Sequence, residues 1–266
     1  MIKIDCQEYA NQIISQVKRQ VSNVVKRKEL VILTAGDDPA SESYMKGKMN
    51  DCKKCGIECY QVRVKSQKDL MTQISFANWS DKVGGIIVQL PLPEGFNERE
   101  AVNAVRIDKD VDGFKQGSPF LPCTPEGIMW VLNHELDGDL SGKTVLLIGK
   151  GKLIGKPLID MLLERGCTLT IAHSKTKNLN RLVTYHHDVV ITGVGKPNLI
   201  DLHWVNAEVV IDAGISRDEN GKLCGDCCGF DPDDGRDMKV TTVPNGIGLM
   251  TRAMLMKHMG EVNKKW

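Results

Sequence analysis

The sequence predicts an α/β protein built as two domains. Three observations carry that prediction. Strand-like and helix-like patterns alternate through the first half, a strand, glycine loop, helix and strand follow one another over residues 144 to 172, and 266 residues exceed what one modest core usually organises.

The segment "ELVILTAG" (29 to 36) reads as a buried strand. Asp38 and Pro39 supply an N-cap and a first-turn proline, so a helix is expected from about residue 39 to Cys55, stopped by Gly56. "IECYQVRV" (57 to 64) alternates as a strand does, and a polar helical stretch runs from about Lys68 to Trp79. In "GGIIVQLPLP" an apolar strand from Ile86 to Gln89 is terminated by Pro91 and Pro93. Gln89 therefore stands at a carboxyl end, where open parallel sheets bind ligands. Thr124, Pro125 and Glu126 mark a helix start within "CTPEGIMWVLNHE" (123 to 135). After the polar break "DGDLSG" come a strand at 144 to 148, a glycine loop, a helix at 156 to 165 and a strand at 168 to 172, which together make one βαβ unit. "DVVITGVG" (188 to 195) and "AEVVIDAGI" (207 to 215) are further strands, and "VPNGIGLMTRAMLMKHM" is a loop feeding a final amphipathic helix.

Charge narrows the function classes. With 35 basic and 34 acidic side chains the net charge is +1, so nothing draws the chain to nucleic acid or an anionic membrane, and no basic aromatic strip appears. A small-molecule partner is expected. There is no charged and apolar leader pattern and no apolar run near the roughly 18 residues of a membrane span, so a soluble, cytoplasmic protein is expected. Nine cysteines, an odd number, fit free thiols in a reducing compartment. Cys52 with Cys55, and Cys224 with Cys227 and Cys228, have metal-like spacing but share no Cys/His block, so structural thiols are expected rather than zinc. "DKDVDG" (Asp108, Asp110, Asp112, Gly113) imitates a calcium loop, yet position twelve of that loop is Pro119 instead of a bidentate glutamate. No metal is expected, and the three aspartates need another purpose.

Gly149, Gly151 and Gly155 have the spacing G-x-G-x-x-x-G, one residue longer than the usual dinucleotide fingerprint. They follow a strand and open a helix, which is where backbone amides meet a pyrophosphate. A Walker loop fits less well, because Pro157 stands where a hydroxyl residue binds magnesium. At the end of the second strand NAD sites place a carboxylate, whereas this chain has His173, Ser174, Lys175 and Thr176. A hydroxyl and an ammonium suit a 2′-phosphate and favour NADP over NAD; the alternative is a solvated polar loop.

In "YMKGK" Tyr44 and Lys48 lie one helical turn apart on one face. Surface decoration is the ordinary explanation of such a lysine. Against it, the helix starts at a carboxyl end of a strand, Gln89 ends another, and Asp112 follows soon after. The four can converge on one crevice, where a desolvated lysine serves as a base.

Over nearly its whole length the chain resembles the methylenetetrahydrofolate dehydrogenase/methenyltetrahydrofolate cyclohydrolase family, through "GDDPASESYMKGK", "GIIVQLPLP", "KDVDGF", "PCTPEGI", "GKTVLLIGKGKLIGKP", "AHSKT" and "VPNGIGLMT". The resemblance implies an N-terminal folate and catalytic domain over 1–138, a Rossmann-like dinucleotide domain over 139–247, and a last helix, 248–266, that returns to the first domain. Lys48 would be the catalytic lysine, with Tyr44 near the folate and Gln89 holding Lys48. Asp112 would bind the pterin edge, joined on the substrate side by Pro244, Asn245 and Gly246. Gly149, Lys150, Gly151, Gly155, Ser174, Lys175 and Ile215 would hold NADP. The implied enzyme oxidises 5,10-methylenetetrahydrofolate and hydrolyses the product to 10-formyltetrahydrofolate, as a cytoplasmic homodimer of one-carbon metabolism and purine biosynthesis.

Two motifs depart from the family pattern. "GKG" at 149 to 151 replaces a usual "GRS", which keeps a charge but loses a planar fork, and leaves NAD as the alternative cofactor. Asn245 and Leu249 stand for a glycine and a proline, and bear on the dehydrogenase step. The competing readings are a chain with one of the two activities, or a folate- or nucleotide-binding protein without catalysis.

Overall fold

The computed structural model describes residues 1–36 and 39–265. In chain order the elements are β1 (Ile2–Lys3), α1 (Cys6–Ser22), β2 (Glu29–Ala35), α2 (Pro39–Cys55), β3 (Cys59–Val64), α3 (Gln67–Trp79), β4 (Val83–Val88), α4 (Glu98–Ala104) and α5 (Cys123–Glu135). There follow β5 (Thr144–Ile148), α6 (Gly155–Glu164), β6 (Thr168–Ala172), α7 (Leu179–Leu182), β7 (His187–Thr192), β8 (Ile200–Asp201) and β9 (Ala207–Asp212). The chain closes with β10 (Ser216–Arg217), β11 (Leu223–Cys224), β12 (Cys227–Cys228), β13 (Lys239–Val240) and α8 (Ile247–Lys264).

Local chemistry explains several boundaries. Gly56, at φ +72°, turns the chain out of α2: Ile57 N–H donates to Cys52 O at 3.0 Å and Gly56 N–H to Lys53 O at 3.1 Å. That left-handed cap uses up Gly56 and Ile57, so β3 starts at Cys59 instead of 57. The expected Asp38 cap lies outside the described residues. α3 is capped by the Ser66 hydroxyl, which accepts from Asp69 N–H, and its buried Leu70, Ile74 and Ala77 recur at helical spacing. At its far end Lys109, 7% exposed, donates to the carbonyls of Ala77, Asn78 and Ser80 at 3.0, 2.8 and 2.8 Å.

The chain divides into two compact units, one of Met1–Ala10 with Thr124–Thr251 and one of Asn11–Cys123 with the residues from Arg252 onward. This division falls at 123/124, whereas the sequence reading places the border at 138/139. β1 pairs in parallel with β13, the N-terminal ammonium lies 2.7 Å from Asp234, and the Arg165 guanidinium donates to Asn133 Oδ1 at 2.8 Å and Gly138 O at 2.9 Å. These ties bind the first ten residues and α5 to the later part of the chain. The returning segment starts at Arg252 instead of 248, since Thr251 Oγ1 pairs with Thr124 Oγ1 at 3.0 Å.

In the unit of Asn11–Cys123 the sheet order is β3-β2-β4, all parallel. β4 is buried along its length, and its Gly84 and Gly85 admit α8: a Cβ at Gly85 would lie 2.5 Å from Met259 Sδ. A single parallel bridge from Ile86 to Asp110 brings the aspartate segment alongside β4. In the other unit six parallel strands run β1-β13-β9-β7-β5-β6 over a core that includes Leu146, Ile148, Val190 and Val210. The two-residue strands, α1, α4 and α7 were not expected from sequence.

Candidate active site

In the three-stranded sheet β2 has β3 on one side and β4 on the other, so this is the point where the strand order reverses. α2 leaves β2 and Gln89 leaves β4 at that same edge, which is where an open parallel sheet forms its crevice. Lys48 is 4% exposed, and its Nζ donates to Gln89 Oε1 at 2.8 Å. Gln89 Nε2 in turn donates to Leu90 O at 2.9 Å, which points the amide oxygen at the lysine. Lys48 Nζ also lies over the Tyr44 ring, 4.9 Å from its centroid. Asp112 lies within electrostatic reach of this group: burial pushes its carboxyl above the ordinary range, against the pull of the Lys48 charge.

The aspartate run divides its labour. Asp108 pairs with Arg106 at 2.8 Å. Asp110, 4% exposed, accepts from the N–H groups of Gly113, Phe114 and Lys115 at 3.2, 3.4 and 2.8 Å, so it builds the loop that carries its neighbour. Only glycine fits at 113, because a Cβ there would meet Leu121 O at 2.3 Å.

The glycine of "YMKGK" has a steric cause. A Cβ at Gly47 would stand 2.0 Å from an Arg252 guanidinium nitrogen, and Arg252 Nε lies 2.9 Å from Asp51 Oδ2. Gly47 and Asp51, one turn apart on α2, thus receive the arginine of α8.

In the six-stranded sheet β5 holds the corresponding position between β6 and β7. Gly149 leaves it at φ +110°, and a Cβ at Gly155 would meet Gly149 O at 2.3 Å, so the loop closes tightly on the start of α6. Gly151 differs, since a Cβ there meets nothing within 4 Å. Its backbone is open to a ligand, as a pyrophosphate-binding turn requires. Beyond β6, His173 N–H donates to Thr176 Oγ1 at 2.9 Å and Thr176 N–H to His173 O at 2.8 Å, a turn that leaves Ser174 and Lys175 exposed. Lys150 is also exposed. These residues fit a dinucleotide phosphate. Ile215, 57% exposed, stands just beyond β9. Asn245 has φ +72°, a left-handed backbone that asparagine tolerates, between the cis Val243–Pro244 bond and Gly246.

Cys52 and Cys55 are buried free thiols, whereas Cys224, Cys227 and Cys228 belong to the other unit. Among the described residues, His186, Asp188 and Glu208 bring ligand atoms within 4.8 Å of one another, but Lys143 Nζ already lies 3.2 Å from Asp188 and 3.5 Å from Glu208.

The family model described as tetrahydrofolate dehydrogenase/cyclohydrolase, NAD(P)-binding domain, matches residues 122–265, and the catalytic-domain model of the same family matches residues 4–112. The chain belongs to this family. It is 36% identical to the bifunctional protein FolD of Campylobacter hominis, across 96% of this chain and 94% of that one. Among solved structures it is similar to the bifunctional methylenetetrahydrofolate dehydrogenase/cyclohydrolase of Campylobacter jejuni, with 32% identity, TM-score 0.89, and 100% and 99% of the two chains covered. The Trypanosoma brucei enzyme, solved with NADP and an inhibitor, has 26% identity and TM-score 0.91 over 99% and 97% of the chains.

Tyr44, Lys48, Gln89 and Asp112 all fall in the stretch matched by the family's catalytic domain, and the glycine loop in the stretch matched by its NAD(P)-binding domain. Sequence reasoning passed over Val194, Asp212, Asp226 and Arg252. Their partners lie far along the chain; the only local trace was glycine beside each carboxylate, at Gly214 and Gly225.

Proposed function

We propose that the chain oxidises 5,10-methylenetetrahydrofolate with NADP and hydrolyses the resulting 5,10-methenyltetrahydrofolate to 10-formyltetrahydrofolate. The observation that carries this is the buried Lys48 Nζ, 2.8 Å from the Gln89 amide oxygen at the carboxyl edge of the sheet and within electrostatic reach of Asp112, in a chain of this family.

Asp112 takes the pterin edge, where one carboxylate accepts two N–H bonds; those donors compensate the burial that raises it. Tyr44 supplies a ring face beside Lys48 and, with Asp112, orients the one-carbon unit. In the oxidation the chain's contribution is alignment, because the folate nitrogens themselves stabilise the cation as the C–H bond breaks. NADP, when bound, supplies the hydride acceptor. The Gly149, Gly151 and Gly155 loop would hold its pyrophosphate, Lys150, Ser174 and Lys175 its 2′-phosphate, and Ile215 a ring, with Pro244, Asn245 and Gly246 on the substrate side. In the hydrolysis a water oxygen bonds to the methenyl carbon. Lys48, held by Gln89, relays a proton from that water to the ring nitrogen as its bond to carbon breaks, and the second proton goes to solvent.

The same reading makes the enzyme a cytoplasmic homodimer of one-carbon metabolism whose formyl product serves purine biosynthesis. These finer points rest on the resemblance, and sedimentation equilibrium tests the dimer. Among the described residues no helix is long and apolar enough to cross a membrane.

The test is absorbance during turnover of 5,10-methylenetetrahydrofolate with NADP and, separately, NAD, followed by acidification to convert 10-formyl product to the methenyl form. Reduced NADP with acid-revealed product is expected. Folded protein that reduces neither cofactor but still hydrolyses methenyltetrahydrofolate would leave a cyclohydrolase alone.

A further inference from the structure

Asp226 is fully buried, and its carboxylate accepts from a hydroxyl and two backbone N–H groups. Oδ2 accepts from Thr192 Oγ1 and Val194 N–H, both at 2.7 Å, and Oδ1 accepts from Lys196 N–H at 2.7 Å. All three donors lie at or just beyond the carboxyl end of β7. Asp226 N–H donates to Asp212 Oδ1 at 3.1 Å, and Asp212, the last residue of β9, also accepts from Gly214 N–H at 3.0 Å and Cys227 N–H at 2.8 Å. The fit excludes side chains: a Cβ at Gly214 would lie 2.2 Å from the Asp226 carboxylate, and one at Gly225 2.0 Å from that of Asp212. Ser216 Oγ adds a bond to Gly195 O at 2.7 Å.

The segment so held adjoins the glycine loop, since a Cβ at Gly149 would touch Gly193 O at 3.1 Å. It carries Val194, 46% exposed, while the segment beyond β9 carries Ile215, 57% exposed. Apolar side chains left in water on loops tied this firmly suit a flat ring.

We infer that Asp226 is a positioning residue for the dinucleotide, latching the segments beyond β7 and β9 so that Val194 and Ile215 form an apolar clip for one of its rings. The inference rests on the proposed use of NADP by this unit. Asparagine cannot replace the latch, because its NH2 group would face an N–H donor wherever it pointed.

The experiment compares wild type, Asp226→Asn and the milder Thr192→Val, with NADP varied at saturating methylenetetrahydrofolate, and with methenyltetrahydrofolate hydrolysis followed in the absence of cofactor. Asp226→Asn is expected to raise the NADP KM about tenfold or more, with kcat within about threefold and hydrolysis unchanged; Thr192→Val should raise KM by about threefold. An unchanged KM in folded Asp226→Asn overturns the inference, as does an equal fall of both activities, which would mean a merely structural role. If Asp226→Asn does not fold, Thr192→Val decides alone, and an unchanged KM overturns the inference. A wild type that reduces neither NADP nor NAD counts against the proposed function instead. The latch is then read from dinucleotide Kd, which must rise by the same factors in the variants for the inference to stand.

Discussion

At the scale of single residues the site depends on what Lys48 is allowed to touch. Its Nζ has the Gln89 carbonyl at 2.8 Å and the Tyr44 ring face at 4.9 Å, and it is nearly closed to solvent. Lys48→Met is expected to cut hydrolysis of methenyltetrahydrofolate at least about 100-fold while folate Kd changes only a few-fold. Lys48→Arg should not restore the rate, since a guanidinium does not give up its proton. A Kd that collapses together with the rate would reduce Lys48 to a binding group. Gly47→Ala tests the neighbouring contact. The added methyl displaces Arg252 from Asp51, which should cost about 1–3 kcal/mol in urea unfolding. Unchanged stability would show that the arginine simply swings aside.

Among elements, the loop between β5 and α6 carries the cofactor reading. Gly155→Ala puts a methyl 2.3 Å from Gly149 O, a backbone atom that has no rotamer to yield. Dinucleotide Kd should rise more than about tenfold with hydrolysis intact, and titration of the variant with NADP checks it. The junction after α3 behaves differently, because Lys109 supplies one ammonium to three carbonyls at and just beyond the helix end. Lys109→Met should cost about 2–3 kcal/mol without changing the ratio of the two activities, as thermal melts and paired assays would show.

For the molecule as a whole, two carboxylates set opposite pH slopes. Burial raises Asp188, but the Thr144 N–H and hydroxyl and the Lys143 ammonium outweigh it and hold the carboxyl at about 2. With its folded pKa below the unfolded 3.8, Asp188 contributes stability that is present above 3.8 and is lost as pH falls through 2. Burial pushes Asp212 the other way, up to about 6, despite backbone N–H bonds from Cys227, Asp226 and Gly214. The folded state then binds the extra proton between 3.8 and 6, so stability falls as pH rises through that window, by on the order of 3 kcal/mol in total. Melting temperature measured from pH 4 to 7 should decline more steeply in wild type than in Asp212→Asn. Parallel curves would mean that Asp212 ionises normally.

What the sequence determined by itself was local. Caps, glycine spacing and strand alternation marked α2, α3, the β5-α6-β6 unit and the carboxyl-edge position of Gln89, because each of those signals acts within a few residues. The strand-end positions of α2 and Gln89 suggested one crevice for Tyr44, Lys48, Gln89 and Asp112, and the switch in strand order around β2 is where Lys48 meets Gln89. The tertiary structure alone decided the rest. β1 and β13 are two residues each, too short for any periodicity, yet their pairing moves the first ten residues into the other unit. Asp226 and Asp212 look like ordinary polar residues until the fold brings hydrogen-bond donors to them across as many as 34 positions. Arg252 explains Gly47 only once α8 has returned to α2, because a steric vacancy in one helix has meaning only when another chain segment fills it.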